Sequence, residues 1–519
     1  MELASKIGII SGASFLFIIV FGWVAFPALM KYGIKHQMTL EPGTELRDMW
    51  SNLPFSIDFK IYIFNVTNAK DVANGDTPML DEIGPFFFDE WKTKVNLEDN
   101  NADDTVAFNS KTRWYYNQEK SGKLTGEELV TVPHPLIMSM ILSTAMNRPP
   151  MLPMVYKAVN GIFDDPTSIF VTVRVKDLLF DGIYINCNRS EFIPHAACFE
   201  MMREESMKKV PGDGLLFSFF GHKNESVDAR MKVKRGVDNA LDLNKVVEYK
   251  NRTDMKIWTT KQCNQLKGTE SSVYHTFVED QETLFGYVPL LCRHLRITYS
   301  ETIDFYGFST AVYTTSFGDM SKNSEEKCYC PKKDFCLKKG AVDLTKCSGA
   351  PLVATFPHFY DADETYLKSV RGLHPSEEKH RSKFYFEPMT GVVLGAMNRL
   401  QFSFQLQKLE NITIMKNVPE SMLPILWLEE IVVLNSTYLN NMDKQVFLVA
   451  RINKAIRWTV LLVSIAGMIA AVYMTMHKKR GFSLGTTFPN LSNDDIGDSN
   501  KNTAISTIGQ IIGKQSNKN

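Results

Sequence analysis

The sequence predicts a two-span membrane protein whose spans enclose a large, disulfide-bonded, strand-rich region. Three observations predict it: an uncharged apolar run near each end of the 519 residues, the confinement of all eight cysteines to the stretch between those runs, and repeated apolar–polar alternation within that stretch.

The first run follows Lys6 and reads "IGIISGASFLFIIVFGWVAFPALM", residues 7–30, before Lys31 ends it. It exceeds the roughly 20 residues that cross a bilayer. The apolar core of a secretory signal is only about 7 to 15 residues long and leads to a small-residue cleavage site, so this run is expected to remain as a signal-anchor. The second run, "WTVLLVSIAGMIAAVYMTM" at residues 458–476, lies between Arg457 and the basic "HKKR". Basic flanks at both extremes favour spans over buried core helices. The chain thus divides into residues 1–6, a span at 7–30, a middle region at 31–457, a span at 458–476 and a tail at 477–519.

Charge alone divides on orientation. Lys478, Lys479 and Arg480 place the tail in the cytosol, whereas Lys31, Lys35, Arg451, Lys454 and Arg457 flank the middle region. The N-x-[ST] sequons decide, because they are used only in the secretory lumen. Asn65, Asn188, Asn224, Asn251, Asn411 and Asn435 all head such triplets in the middle region. The middle region is therefore expected outside the cell, glycosylated, with both termini cytosolic.

The same compartment suits disulfides. A zinc site calls for repeated close cysteine pairs, but Cys263, Cys292, Cys328, Cys330, Cys336 and Cys347 are irregularly spaced, including the dense "CYCPKKDFC". A net charge of zero argues against a partner held by phosphate neutralisation and no basic stripe offsets it, so no nucleic acid is expected. With 34 phenylalanines, the chain has ample material for one large core or two coupled ones.

Within the middle region, "DFKIYIFNVT", "SIFVTVRV" and "NRLQFSFQLQKL" alternate as half-buried strands do, with turns marked by Asn74-Gly, Ser121-Gly and Pro211-Gly. "AACFEMMREESMKKV" reads as a short helix and "NLEDNNADDTV" as a solvated loop. Residues 133–163 are apolar and methionine-rich, with helical spacing at Ile137, Met140, Ile141 and Thr144 and a central Arg148-Pro-Pro turn. Two roles fit this hairpin: an ordinary cap over the core, or a soft apolar mouth for varied lipophilic ligands.

No nucleophile elbow, zinc-protease helix, phosphate loop or dinucleotide fingerprint occurs. In "HPSEEKHR", the six-residue separation of His374 and His380 does not place both rings on one helical face. The histidines of "PHP" and "PHF" read as packed or hydrogen-bonded. Neither a metal nor a cofactor is expected, and an enzyme has little support; a membrane-tethered hydrolase would need turnover of an ester ligand.

The terminal spans, sequons and cysteine cluster, with "EIGPFFFDEWK", "FPHFYDAD", "GLHPSEEKHRSKFYFEPMTG" and "LPILWLEE", resemble the class B scavenger receptor family over nearly the whole chain. "LTGEELVTVPHP", "NGIFDDP", "INCNRSEF" and "ISTIGQ" point within it to the insect sensory neuron membrane proteins, type 1 branch. The chain departs from the fatty-acid-transporting vertebrate members in having no terminal cysteines to acylate.

The resemblance implies an α+β ectodomain: an antiparallel β-barrel-like core with a helical cap and an internal hydrophobic tunnel. It also implies the pairs Cys263–Cys328, Cys292–Cys347 and Cys330–Cys336. Cys187 and Cys198 fall outside that pattern, and spacing leaves their pairing open. The implied function is an olfactory co-receptor in the neuron's cell membrane. It would take lipophilic odorants such as pheromones or fatty-acid-derived molecules, in part from soluble odorant-binding proteins, toward an odorant receptor complex. The competing role is a general scavenger or adhesion receptor for lipid or protein particles. In the cap, Met140, Met151 and Met154 are expected to meet a ligand's chain. Arg148 and Lys157, the hairpin's two lysine or arginine cations, either meet its polar head or merely keep the hairpin end soluble.

Overall fold

The computed structural model describes residues 2–332 and 335–483. The tail beyond residue 483, which contains a further N-x-S triplet at Asn490-Leu-Ser492 and "ISTIGQ", lies outside the described residues. The described residues form two compact units, one from the segments up to Ala25 and from Ile452 onward, and one from Phe26–Arg451.

Among the described residues, two helices are long and apolar enough to cross a membrane, Leu3–Gln37 and Ser436–Lys478, each running beyond its apolar stretch. Within the first unit they run antiparallel. Gly8 faces Ala471, and Gly467 faces Ser11 so closely that a Cβ on that glycine would come within 2.2 Å of the Ser11 hydroxyl. Small side chains bring the two backbones together where lipid provides no hydrophobic drive. Further along, Trp23 and Trp458 meet edge to face at 5.7 Å.

The second unit is built on a large antiparallel sheet. Its principal strands are β1 (Ile57–Val66), β2 (Leu80–Asn100), β3 (Thr105–Tyr116), β4 (Met231–Lys234), β5 (Val246–Tyr249), β6 (Leu284–Val288), β7 (Arg293–Phe305), β8 (Phe308–Thr315), β9 (Lys383–Glu387), β10 (Val392–Leu406) and β11 (Ser421–Val433). The order across the sheet is β5-β4-β3-β2-β1-β11-β10-β9-β8-β7-β6, with two short strands, Val342–Asp343 and Leu352–Thr355, branching from β10. Alternation decides the faces, as period-two side chains must. Phe59, Ile61, Phe86 and Phe88 are buried on one face. On the other, Lys60 Nζ meets Glu429 at 2.8 Å, and Arg399 Nε donates to the same carboxylate at 2.7 Å.

The two terminal strands of that order are joined through a single turn. The Gly268 carbonyl accepts from Val246 N on β5, and Thr269 exchanges hydrogen bonds with Phe285 and Tyr287 on β6. The sheet is thereby a nearly closed, barrel-like ring. Only glycine fits at 268: its φ is +93°, and a Cβ would meet the Phe285 carbonyl oxygen at 2.2 Å.

Two segments differ from the sequence expectation. "NLEDNNADDTV" is solvated from Asn96 to Asp103, as expected, but most of it is strand on either side of the turn at 101–104 that closes the β2–β3 hairpin, and Asp104 is buried, holding Arg235 Nε at 3.2 Å and the Asp238 N–H at 3.1 Å. Only the first part of "AACFEMMREESMKKV" is helical; its final MKKV is a strand, Met207–Val210, paired to Gly214–Phe217. Cross-strand pairing outweighs local helix propensity there.

Candidate functional site

The methionine-rich hairpin folds as two helices, α1 (Pro135–Asn147) and α2 (Leu152–Ile162), joined through a 3₁₀ turn at Pro149–Met151. Pro135 suits the first turn of α1, where its missing N–H costs nothing. His134 caps that turn and packs edge to face on Phe163 at 4.7 Å. Burial pushes its imidazole down to about 4, so it stays neutral. A third helix, α3 (Phe192–Met201), crosses α2 where Gly161 meets Pro194; a Cβ on the glycine would stand 2.2 Å from the proline ring. Leu136, Ala158, Ile162, Cys187 and Cys198 form a small core beneath the three helices.

The structure separates the five expected ligand residues. Ala158, Val159 and Ile162 bury one face of α2, leaving Met151 (41% exposed), Met154 (45% exposed) and Lys157 on the open side. Arg148 is also exposed, at the turn between the helices, where its N–H closes α1 on the Thr144 carbonyl at 2.8 Å. Met140 instead packs half-buried between the main core and the cap core. Exposed Phe192 and Phe199 on α3, seven residues apart, were not singled out from sequence. Their spacing of two helical turns was the available signal.

Disulfides join Cys263 to Cys328, Cys292 to Cys347, Cys330 to Cys336 and Cys187 to Cys198. The last closes one side of the cap core. Next to the Cys330–Cys336 bridge, Lys332 Nζ donates to the Met146 carbonyl at 3.2 Å, placing a cation at the α1 C-terminus as the helix dipole favours. Of the sequon asparagines, Asn188, Asn251, Asn411 and Asn435 are exposed. Asn65 and Asn224 are partly buried, their side-chain oxygens accepting from Thr131 N at 2.8 Å and Trp114 N at 3.0 Å.

The histidines of "PHF" and "HPSEEKHR" come together in a polar cluster that spacing did not show. His358 Nδ1 accepts from the His374 N–H at 3.0 Å, so its Nε2 carries the proton and donates to Glu82 at 2.6 Å. Trp427 Nε1 donates to the same Glu82 oxygen at 2.7 Å. Burial pushes the Glu82 carboxyl up, but these two donors outweigh it and hold the group below its ordinary value. His380 stacks on His358 with centroids 4.3 Å apart, and its Nδ1 accepts from Ser376 N at 2.9 Å. Burial, then the neighbouring His358, pushes His380 down to about 3. Because both Nδ1 atoms are committed to backbone N–H groups, the pair is a structural clasp; among the described residues no group of three ligands could hold a metal. A cavity of about 370 Å³ opens beside Glu82, His358 and His380, and another of about 450 Å³ beside Glu45, Asp48 and Tyr438; no cap residue lines either.

The CD36 family profile matches residues 9–475. Sensory neuron membrane protein 1 of Ostrinia furnacalis is 38% identical over 512 residues, covering 97% of both chains. The protein of the same name from Apis mellifera is 39% identical over 488 residues, 93% of this chain and 94% of that one. That of Manduca sexta is 40% identical over 471 residues, 90% and 89% of the two chains. The barrel-like sheet and the two apolar terminal helices carry this likeness along almost the full chain, which belongs to the CD36 family, the class B scavenger receptors.

Proposed function

We propose that this chain is a receptor, not an enzyme, of sensory neuron membranes, which captures lipophilic odorants such as pheromones and passes them through an apolar passage toward an odorant receptor complex. The names of its relatives support the sensory neuron setting. The observation that carries ligand capture is the open face of α2: two exposed methionine thioethers, Met151 and Met154, flanked by the Arg148 and Lys157 cations. A long alkyl chain leaving water gains about 0.8 kcal/mol per CH₂. An apolar path through the ectodomain would keep it from rehydrating on the way to the bilayer. Soluble odorant-binding proteins would deliver the ligand, and both termini lie in the cytosol.

Binding is measured on the full-length glycosylated protein in lipid nanodiscs, with radiolabelled palmitate and its methyl ester as probes. Met151→Asp is expected to weaken both by wetting the face. Arg148→Ala with Lys157→Ala is expected to weaken palmitate more, because only the carboxylate makes charge-assisted hydrogen bonds. Unchanged affinity for both probes in all three substitutions removes the hairpin from the ligand path. Glycopeptide mapping tests the topology: glycans belong on the middle-region sequons, and one on Asn490 would overturn it.

A further inference from the structure

On the concealed face of the sheet, Glu90 of β2 stands directly opposite Trp114 of β3. Glu90 is only 2% exposed, and its Oε2 and the Trp114 Nε1–H lack a well-formed hydrogen bond among the described residues, although the indole lies close enough to Glu90 to draw its carboxyl down, the weakest of the influences on it. Two buried, unsatisfied polar atoms side by side are costly and call for an explanation. The other Glu90 oxygen lies 3.5 Å from Lys92 Nζ, but Lys92 makes its closer contact with Glu430 of β11. One ammonium cannot neutralise two carboxylates, and the more deeply buried one keeps its proton. Glu430 is 22% exposed, so that group is Glu90. Burial pushes the Glu90 carboxyl up to about 8, only partly offset by Lys92, which agrees with this assignment. A neutral carboxyl is a donor.

Around these two donors the face is aromatic. Phe88 packs on Phe180 at 4.7 Å, Phe59 on Phe220 at 5.7 Å, and Trp114 touches Phe59, Phe180 and Phe220. The Lys92 side chain is 41% exposed although it shares a face with buried Phe86, Phe88 and Glu90, so open space reaches this end of the cluster.

We infer that Glu90 and Trp114 form a recognition site for the carbonyl oxygen of a lipophilic ligand, an ester above all, with the surrounding rings packing on its apolar chain. A carbonyl oxygen has two lone pairs and meets both donors at once, whereas a hydrocarbon leaves both unsatisfied. This site rests on the proposed capture of lipophilic molecules and adds to it a preference for a functional group.

The test uses the full-length protein in nanodiscs with two probes: hexadecyl acetate isotope-labelled at its carbonyl, and octadecane. In the wild type, the isotope-edited infrared carbonyl band of bound ester is expected at lower wavenumber than in nanodisc lipid alone. Trp114→Phe keeps the ring and removes the donor. It is expected to move the band back toward the lipid position and weaken the ester about five- to tenfold, leaving octadecane unchanged. A wild-type ester band at the lipid position overturns the site, as does equal weakening of both probes in Trp114→Phe; either shows Glu90 and Trp114 to be a mutual pair only. If neither probe binds the wild type, the proposed capture of lipophilic molecules fails with it.

Discussion

Two of the glutamates of strand β2, Glu82 and Glu90, lie eight residues apart, and each stands near a tryptophan indole. Glu82 receives both a His358 and a Trp427 hydrogen bond, and its carboxyl is held below the ordinary value. Glu90 shares one lysine with a second carboxylate, has an unpartnered oxygen, and is pushed up to about 8. The difference shows that burial alone does not set the charge of a carboxylate. The count of committed donors does, and the first glutamate is part of the scaffold while the second is left with bonding capacity to spare.

The largest break in this comparison is expected from Glu82→Leu, which strands the His358 and Trp427 N–H donors and should cost about 3 kcal/mol of stability. Thermal unfolding in detergent measures it, and a cost under about 0.5 kcal/mol would mean the clasp carries no load.

Acid should act next. His380 is neutral in the folded protein down to about pH 3, whereas in the unfolded chain it takes up its proton near the ordinary 6.5. The unfolded state therefore binds the proton first, and stability falls as pH drops below about 6.5, by up to ~1.4 kcal/mol per pH unit. His134 and His294, both pushed down to about 4 by burial, act in the same direction. The contribution of His380 is therefore read as the flattening of the melting-temperature profile in His380→Asn relative to wild type. An unchanged slope would remove it from the account.

The two tryptophans sharpen the contrast further. Trp427→Phe breaks a made hydrogen bond and should cost about 1 kcal/mol, whereas Trp114→Phe removes only a weak contact to Glu90 and should cost much less in ligand-free protein. Equal costs would show that the two indoles are bonded alike.

The smallest change is expected from Glu90→Gln near pH 6, because the wild-type group is already neutral there. Its signature lies in the pH dependence. With a folded value of about 8 against an ordinary 4.5, wild-type Glu90 contributes stability that is full below about pH 4.5 and is lost as pH rises to about 8. Glu90→Gln should flatten that decline in the same unfolding profile. A parallel shift without flattening would place the wild-type group as a carboxylate.

The spans, the alternating strands and the helical hairpin were legible because each is written in neighbouring residues: "DFKIYIFNVT" becomes β1 (Ile57–Val66), and Arg148-Pro-Pro becomes the turn between α1 and α2. What joins distant segments was not. The seam at Gly268 and Thr269 depends on where β5 and β6 arrive, not on its own sequence. The clasp of His358 and His380 binds Glu82, 276 residues before His358. Glu90 and Lys92 were in view within "DEWK" and share a face by simple alternation. Their imbalance required Glu430, which only the folded sheet brings to Lys92.

The seam has a further consequence, for solubility. An open sheet of this length would present two rows of bare amide and carbonyl groups, each a template on which a second chain could add as another strand. By bonding to Val246 at the start of β5 on one side and to Phe285 and Tyr287 of β6 on the other, the turn at Gly268 and Thr269 occupies part of both rows at once. Two residues, one of them with room for no side chain larger than hydrogen, thus block the end of β5 and the middle of β6 against the addition of a further strand.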